Sequence, residues 1–326
     1  MSGMGMWRRW RKALGAGCAA AALASGCLAA GPVAVAQPAG TGCGAPVTAP
    51  PRGPVVVSAR TTPYGRVLVV GSGAEAGCSL YLLTSDALAP STGAYGCTAV
   101  CATDIWPALL SAGAPVAGPG VNPTLLGTVT RTDIVSGRAV RQVTYAGAPL
   151  YRFLLDARPG DLRGADLFDP RVSPPGLWYL VSPARGLPAP GTATLTPESV
   201  TGTAHGTVLS VLLRSLTPAL AVGVRPFPVY TFSADAPPAV ACVRQTAPRP
   251  GCSVFWPPVL TRGRARARGT LPPNAVGIIV RPDRSHQVTA GGRPLYLFVA
   301  DAGSPGVANG NGKAVFGGTF ATVPLP

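Results

Sequence analysis

The sequence predicts an all-β fold in which two tandem modules, built from short antiparallel strands, are stapled by disulfides. The first observation behind this prediction is that the 326 residues include 42 Gly and 37 Pro, which interrupt long helices and favour short segments joined by turns. The second is that 47% of the chain is hydrophobic and only 12% is charged, which is sufficient for the cores of about two domains. The third is an internal repeat that contains cysteine pairs.

The N-terminal residues have the features of a secretory signal peptide. A basic segment precedes an apolar, Ala-rich stretch, and no acidic residue occurs before Glu75. The basic residues are Arg8, Arg9, Arg11 and Lys12. Export is therefore expected, either by the general route or, given the Arg8-Arg9 pair, by a twin-arginine route.

Three ways of processing this leader remain open. Residues 23–27, Leu-Ala-Ser-Gly-Cys, have the form of a lipobox, which predicts a signal peptide over 1–27 and a lipid on Cys27. Ala34-Val35-Ala36 has the form of a plain cleavage site, so the alternative is cleavage after residue 36. The apolar stretch is also long enough to remain as an uncleaved anchor.

The basic residues suggest an anionic partner without defining one. The formal net charge is +15, and a strong net charge favours partners of the opposite sign. Only Lys12 and Lys313 are lysines, and the arginines are scattered singly except between Arg262 and Arg268. We expect that stretch to be a solvated loop or strand edge. A nucleic-acid partner is not expected for an exported chain without aromatic residues among its arginines.

An internal repeat determines the predicted organisation. Segment 142–156, with the sequence QVTYAGAPLYRFLLD, returns as segment 287–301, with the sequence QVTAGGRPLYLFVAD. Upstream, Arg131-Thr-Asp133 returns as Arg281-Pro-Asp283. Self-similarity of this length indicates a repeated structural unit.

The pattern Tyr-x-aromatic-x-x-Asp occurs twice more, over 81–86, where Leu83 replaces the aromatic residue, and over 230–235. Each of these two copies is followed by two cysteines and a Trp-Pro pair; the residues are Cys97, Cys101 and Trp106, and Cys242, Cys252 and Trp256. Copies with and without cysteines therefore alternate. This order predicts one module over 55–186 and a second over 204–326, with Pro, Ala, Gly and Thr-rich linkers over 28–54 and 187–203.

The repeat also predicts the disulfides, because an even number of cysteines in an exported chain indicates paired thiols. Cys97 and Cys101 occupy the place that Cys242 and Cys252 hold in the second module, so each pair is expected to close within its own repeat. Cys78 has Phe227 as its counterpart, which leaves Cys43 as its partner. The Cys43–Cys78 bond closes a loop of about 35 residues and is expected to contribute roughly 3 to 4 kcal/mol.

Several short segments have the composition of strands. Residues 150–154 and 295–299 are rich in aromatic and aliphatic residues and follow Gly-x-Pro. Residues 67–70, 207–211 and 276–280 are further strands by the same criterion. Antiparallel meanders with Gly turns are the expected arrangement.

These motifs carry a resemblance to a known family. Gly-x-Pro-Leu-Tyr-x-Phe-x-x-Asp, combined with Cys-x-x-x-Cys and Trp-Pro, resembles the bacterial secreted-repeat lipoproteins that are defined by a Tyr-x-aromatic-x-x-Asp motif. The resemblance covers residues 55–326, with departures at Leu83 and around Phe227. It implies a lipid-anchored envelope protein and supplies no substrate or catalytic residue, because the family has no established function.

The repeated aspartates are the first candidates for chemistry. Each follows a predicted strand, where its side chain can accept hydrogen bonds from nearby amides and fix the turn; cation binding and acid–base catalysis are the alternatives. We expect the motif residues to be structural: Tyr81, Asp86, Tyr151, Phe153, Asp156, Tyr230, Phe232, Asp235, Tyr296, Phe298 and Asp301. Trp106 and Trp256 are interpreted as lids over the disulfides, with exposed platforms for sugars as the alternative.

Other sites have weaker support. Asp161, Asp166 and Asp169 lie in one Gly-containing loop that could hold Ca²⁺, but the second module has no acids there. His205 and His286 are far from the cysteine pairs in sequence, so zinc and haem sites of standard spacing are absent, and both are expected at the surface. No hydrolase, nucleotide or protease motif occurs. No catalytic residue, metal or cofactor is predicted.

These features together favour an exported, non-enzymatic lipoprotein of the cell envelope. We expect it to be held at the outer face of the membrane by a lipid, with a soluble secreted form as the alternative. The modules would be structural or would bind an envelope polymer or another exported protein. The alternative function is a redox or metal-handling accessory that uses Cys97 with Cys101, or Cys242 with Cys252.

Overall fold

The computed structural model describes residues 42–44, 52–88, 95–97, 105–132, 137–204, 206–217, 220–243, 251–301 and 306–325. The chain is nearly all β, with 45% strand and 5% helix. The predicted fold class is therefore confirmed, and the many Gly and Pro residues account for the shortness of most strands.

Nine strands lie in the first half of the chain. They are β1 Val56–Thr62, β2 Gly65–Val70, β3 Tyr81–Leu83, β4 Val116–Ala117, β5 Leu126–Thr132, β6 Ala139–Tyr145, β7 Ala148–Pro149, β8 Leu167–Asp169 and β9 Gly176–Val181. Two 3₁₀ turns accompany them, over Thr84–Leu88 and Pro123–Leu125.

Twelve strands follow. They are β10 Pro188–Ala189, β11 Thr194–Gly202, β12 Gly206–Leu216, β13 Val222–Pro228, β14 Tyr230–Phe232, β15 Arg266–Ala267, β16 Val276–Val280, β17 His286–Ala290, β18 Arg293–Pro294, β19 Val307–Ala308, β20 Lys313–Val315 and β21 Gly318–Thr322. A one-turn helix spans Cys252–Phe255 and a 3₁₀ turn spans Val299–Asp301.

The two halves share three substructures. The first is a hairpin to which a short strand adds in parallel, formed by β1, β2 and β4 in the first half and by β11, β12 and β15 in the second. The second is the meander β5-β6-β7, repeated as β16-β17-β18. The third is β3-β9-β8, repeated as β14-β21-β20. The sequence repeat is thus also a repeat of topology.

The tight turns of the meanders follow from local backbone geometry. Ala146 and Gly147, between β6 and β7, both have positive φ, at 50° and 78°. Gly291 and Gly292, between β17 and β18, do the same at 53° and 75°. Positive φ at both central residues is the requirement of the type I′ turn, whose twist matches that of a two-residue hairpin.

A single nine-stranded sheet joins the two halves. Strand β12 pairs with β11 and β13 and also runs parallel to β8 of the first half, with Arg214 opposite Leu167 and Ser215 opposite Phe168. The central order is β10-β9-β8-β12-β11-β15. Stretch 187–203, predicted as a linker, contains β10 and β11. Its Pro, Ala and Thr composition concealed a strand that pairs along most of its length with β12.

Two predicted strands are not regular strands. Residues 150–154 form only isolated bridges, since Tyr151 pairs with Tyr81 on one side and Ala108 on the other. The chain then turns, and the Asp156 N–H donates to the Phe153 carbonyl at 3.0 Å. Residues 295–299 behave in the same way, with Tyr296 bridging Tyr230 and Pro258 before the 3₁₀ turn. A segment that bridges two neighbours and then turns has too few consecutive pairs to form a ladder.

One hydrophobic cluster extends through both halves. It includes Val57 and Leu177 from the first half and Leu209 and Val288 from the second, all at most 2% exposed. Every described residue belongs to one compact unit over 38–326. Among the described residues, no helix has the length and apolar character needed to cross a membrane.

Candidate functional site

The four tyrosines and four aspartates of the repeated motif form reciprocal pairs. Within each half, the tyrosine of one motif copy donates its hydroxyl to the aspartate of the other copy. The oxygen–oxygen distances are 2.6 Å for Tyr81 and Asp156, 2.6 Å for Tyr151 and Asp86, 2.5 Å for Tyr230 and Asp301, and 2.8 Å for Tyr296 and Asp235. The two tyrosines of a half also pair through their backbones. Two motif copies therefore form one unit with approximate two-fold symmetry.

The second oxygen of each aspartate fixes the turn that follows its motif. It accepts a hydrogen bond from a backbone N–H, at 2.7 to 2.8 Å in all four cases. The donors are Gly96 for Asp86, Arg163 for Asp156, Ala241 for Asp235 and Asn309 for Asp301. These contacts match the turn-fixing role expected for an Asp placed just after a strand.

Burial shifts the protonation of these carboxyls. Desolvation raises the pKa of Asp156 and of Asp301 to about 6, although the tyrosine hydroxyl and the backbone N–H each lower it. Desolvation raises the pKa of Asp86 as well. Removing a carboxylate from water costs more than the two hydrogen bonds return, so the neutral form is favoured in the folded protein.

A buried Arg–Gln pair braces each Tyr–Asp unit. In the first half, Arg131 donates to the Gln142 side-chain oxygen at 2.7 Å and to the Cys97 carbonyl at 2.8 Å. Gln142 in turn donates to the Leu150 carbonyl at 2.9 Å, next to the motif tyrosine. The equivalent set in the second half is Arg281, Gln287, Cys242 and Leu295. The repeated Arg and Gln positions therefore belong to the scaffold.

The motif aromatic residues and the Trp-Pro tryptophans form stacks inside each half. Trp106 stacks on Trp178 at 3.8 Å and on Phe153 at 4.2 Å between ring centroids. Trp256 stacks on Phe320 at 3.6 Å and on Phe298 at 4.2 Å. Both tryptophans are at most 1% exposed. They are core residues, and the sugar-platform alternative is excluded for them.

The cysteines follow the pairing expected from the repeat wherever the structure describes both partners. Cys43 bonds to Cys78, and Cys242 bonds to Cys252. Cys97 is also disulfide-bonded, and its predicted partner, Cys101, lies outside the described residues. Arg152, which is 1% exposed, donates to the Cys43 carbonyl at 3.1 Å and forms an ion pair with Glu75. Two kinds of contact therefore hold the 42–44 segment on the first half.

Two glycines belong to the scaffold although the sequence analysis did not identify them. A Cβ on Gly164 would lie 2.7 Å from the Trp106 ring, and a Cβ on Gly310 would lie 2.8 Å from both the Trp256 and the Tyr230 rings. The Gly310 N–H also donates to the Tyr230 hydroxyl at 3.2 Å. Their alignment behind the motif aspartates was the available signal, but a single glycine in a Gly-rich loop is a weak one.

The remaining predicted site residues do not converge. Asp161 accepts from the Arg158 N–H, Asp166 from the Gly191 N–H, and Asp169 from the Trp106 indole and from Arg171. Since these carboxylates serve three separate contacts, the calcium alternative has no support. No group of three or more His, Cys, Asp or Glu residues in the described ranges is placed to hold a metal. His205 lies outside the described residues.

The open site of this protein is a cleft between the two halves. It has a volume of about 660 Å³, which is within the range of ligand-binding clefts. The first half contributes the β1–β2 turn, segment 120–122 and segments 182–184 and 188–190. The second half contributes segments 261–263 and 284–286, including His286. None of the motif residues lines it.

The cleft is basic. Arg66, Arg262 and Arg284 line it, and all three are exposed. No acidic residue is among the lining residues. The Arg262 N–H donates to the Gly191 carbonyl at 2.8 Å, so backbone contacts fix this arginine across the boundary between the halves. The short Arg-rich stretch was predicted to be a loop or strand edge, and residues 262–264 are indeed an exposed loop.

A buried acid lies beside the cleft at Tyr64. Desolvation raises the pKa of Asp166 to about 6, and its carboxylate accepts from the Gly191 N–H at 2.9 Å. Burial, together with the neighbouring Asp166, raises the pKa of the lining residue Tyr64 to about 12. The Tyr64 hydroxyl is therefore neutral at physiological pH and adds no negative charge to the cleft.

Comparisons with models of known protein families, with curated proteins and with solved structures found no match to this chain.

Proposed function

We propose that this protein is an exported lipoprotein of the cell envelope, tethered through Cys27, and that it is a non-enzymatic binding module whose ligand occupies the cleft between its halves. The leader and the resemblance to secreted-repeat lipoproteins support the tether. The Cys43–Cys78 and Cys242–Cys252 bonds support an oxidising compartment, since disulfides persist outside the cytosol and are rare inside it.

The cleft is the observation that carries the binding role. The chemically interesting motif residues are buried in the scaffold, so they are not available to a large ligand. The cleft is instead lined by loops, which rigid β-modules commonly present to ligands. Its exposed arginines are polar groups that can select a ligand, and its prolines and Val121 provide apolar contact.

The redox alternative has less support. Cys242 is 0% exposed and Cys252 is 6% exposed. A working thiol–disulfide pair requires access for an attacking thiolate, and these sulfur atoms lie within the core of the second half.

The tether is tested on native protein purified from the envelope fraction. Intact mass and non-reducing peptide mapping are expected to find a diacylglyceryl group on Cys27 and three intrachain disulfides. A mature N-terminus at Gln37 would remove the tether and leave a soluble secreted protein. Free thiols at Cys97 and Cys101 would favour the redox alternative.

The cleft is tested by blocking it. Ala184 is an exposed lining residue, so Ala184→Trp fills space without burying a polar group. Ala139→Trp places the same side chain on an exposed strand position outside the cleft. We expect Ala184→Trp to abolish binding to isolated envelope material and Ala139→Trp to retain it, at unchanged melting temperatures. Equal binding by both variants would disprove the assignment of the site.

A further inference from the structure

We infer that the cleft binds a polymer that carries oxyanion groups, phosphate or carboxylate, and that Arg66, Arg262 and Arg284 contact those groups. This inference rests on the proposed function because it concerns the same cleft, and it specifies the chemistry of the ligand. Three arginines from three loops, together with their lack of acidic partners and an unusual backbone, support it.

The three arginines are held in the cleft by neighbouring glycines and backbone contacts. Arg262 reaches from the second half to the β1–β2 turn, where a Cβ on Gly65 would lie 3.7 Å from its guanidinium carbon. Arg66 lies over Gly120, where an added Cβ would overlap the Arg66 guanidinium. Gly120 has a φ of +77°, so this position requires glycine for its conformation as well as for space.

None of the three arginines has an acidic partner in the described part of the chain. The ion pairs there join Arg152 to Glu75, Arg163 to Asp161 and Arg171 to Asp169. Two acids lie near the cleft in the fold, but both make internal hydrogen bonds. Asp166 accepts from the Gly191 N–H, and Asp283 accepts from the Ser285 N–H and hydroxyl. The positive charge of the cleft is therefore available to a ligand.

Arg284 has an unfavourable backbone conformation at the edge of the cleft. Its φ is +67°, in the left-handed region that Gly and Asn tolerate better than long side chains. The turn is fixed by the Arg284 N–H, which donates to the Arg281 carbonyl at 2.8 Å, and by the contacts of Asp283. An arginine at a position that favours glycine indicates that the side chain has a use there, and strained residues are concentrated at functional sites.

The chemistry of the lining favours an extended oxyanion ligand. The planar guanidinium matches the two oxygens of a carboxylate or phosphate. A single small anion would contact one or two arginines and leave most of a cleft of about 660 Å³ unfilled. A polymer with anionic groups at intervals can reach arginines on different loops, and its backbone can contact Pro183, Pro188 and Pro190.

The test uses inorganic polyphosphate and polyglutamate as probes, with dextran as a neutral polymer, in calorimetric titrations at two salt concentrations. We expect the wild-type protein to bind at least one anionic probe and not dextran, with weaker binding at higher salt. Arg66→Gln, Arg262→Gln and Arg284→Gln should each raise Kd by roughly tenfold or more, as expected for the loss of a charge-assisted hydrogen bond. The matched control is Arg264→Gln, an exposed arginine of the same loop that does not line the cleft.

Arg284→Gly separates binding from folding. Glycine relieves the left-handed backbone, so the melting temperature should not fall, whereas the affinity for the anionic probe should drop as it does for Arg284→Gln. A preference for polyphosphate identifies phosphate as the source of the charge, and a preference for polyglutamate identifies carboxylate. Either preference supports the inference.

Two results would overturn the inference. One is that neither anionic probe binds, and the other is that the three glutamine variants bind like Arg264→Gln. If Ala184→Trp still abolishes binding to envelope material in either case, the cleft remains the binding site and only its anionic ligand is wrong. If Ala184→Trp also has no effect, the proposed function itself fails.

Discussion

At the residue scale, the Tyr-x-aromatic-x-x-Asp motif makes its contacts across copies. A tyrosine hydroxyl from one copy and a backbone N–H downstream of the aspartate bind the two oxygens of the same carboxyl group. One copy alone would bury a carboxyl with half of its partners and a tyrosine with no acceptor, and an unpaired buried polar group is costly. This requirement gives a physical reason why the motif occurs in pairs within each half.

Removing one motif hydroxyl should destabilise the protein. Tyr230→Phe deletes the 2.5 Å hydrogen bond to Asp301 and keeps the ring that packs on Trp256. We expect the free energy of unfolding to fall by about 1 to 3 kcal/mol, measured by chemical denaturation at pH 7. Tyr179→Phe is the matched control, because that buried tyrosine makes no hydrogen bond through its hydroxyl to the described residues. Equal losses in the two variants would show that the Tyr–Asp contact is not the cause.

The buried aspartates should make the folded state more stable at mildly acidic pH. The folded-state pKa of Asp156 and of Asp301 is about 6, above the ordinary 3.8, so protons bind more tightly to the folded protein. This contribution is complete below about pH 4 and is lost as the pH rises through 6. Each group should account for roughly 2 to 3 kcal/mol between pH 4 and 7.

The pH effect is measured as the difference between the wild-type protein and Asp156→Asn with Asp301→Asn. Asparagine does not titrate, so the double variant should lose much of the decline in unfolding free energy between pH 4 and 7. An unchanged pH profile in the double variant would assign the decline to other groups.

The sequence predicted the turn-fixing role of the aspartates but not their tyrosine partners. An Asp after a strand has a local signature, because its acceptors and donors lie within a few residues. The partner of Asp301, by contrast, is Tyr230 in the other copy of the motif. That contact depends on how two distant segments pack, and one sequence carries no local pattern that reports it.

At the element scale, the aromatic stacks depend on a close approach of the backbone. Gly164→Ala and Gly310→Ala should each lower the free energy of unfolding by about 1 to 3 kcal/mol through overpacking, since the added methyl would lie within 3 Å of a buried tryptophan. Thermal and chemical denaturation measure the loss. Gly223→Ala is the matched control, because a Cβ on Gly223 meets nothing within 4 Å. If Gly310→Ala is as stable as Gly223→Ala, the close packing against Trp256 is not required.

The elements themselves were predictable in type more than in extent. The meanders had both signals that specify a hairpin, namely apolar runs and two-residue turns that contain Gly. Segments 150–154 and 295–299 had the composition of strands, but each is shared between two neighbours and becomes a series of bridges. Stretch 187–203 had the composition of a linker, yet β11 pairs with β12. Composition describes what a segment tolerates, whereas pairing depends on the partner that the fold supplies.

At the scale of the whole molecule, the basic cleft had no signature in the sequence. Arg66, Arg262 and Arg284 lie among many singly scattered arginines, and only the fold brings them to one cleft. The fold does so because β12 of the second half pairs with β8 of the first. This pairing fixes the relative position of the loops on which the three arginines lie. The sequence predicted the modules from their repeat, but the surface between them is not repeated.

The same joint should make the two halves unfold together. Phe168 of β8 and Phe227 of β13 pack at 5.1 Å between ring centroids, and both are at most 5% exposed. Phe227→Ala should cost about 3 to 5 kcal/mol and shift a single calorimetric transition to lower temperature without splitting it. Val224→Ala, on the same strand but 66% exposed, should change stability by less than about 0.5 kcal/mol. Two separate transitions, with only one displaced by Phe227→Ala, would mean that the halves fold independently. The cleft would then have to be formed by docking rather than by folding.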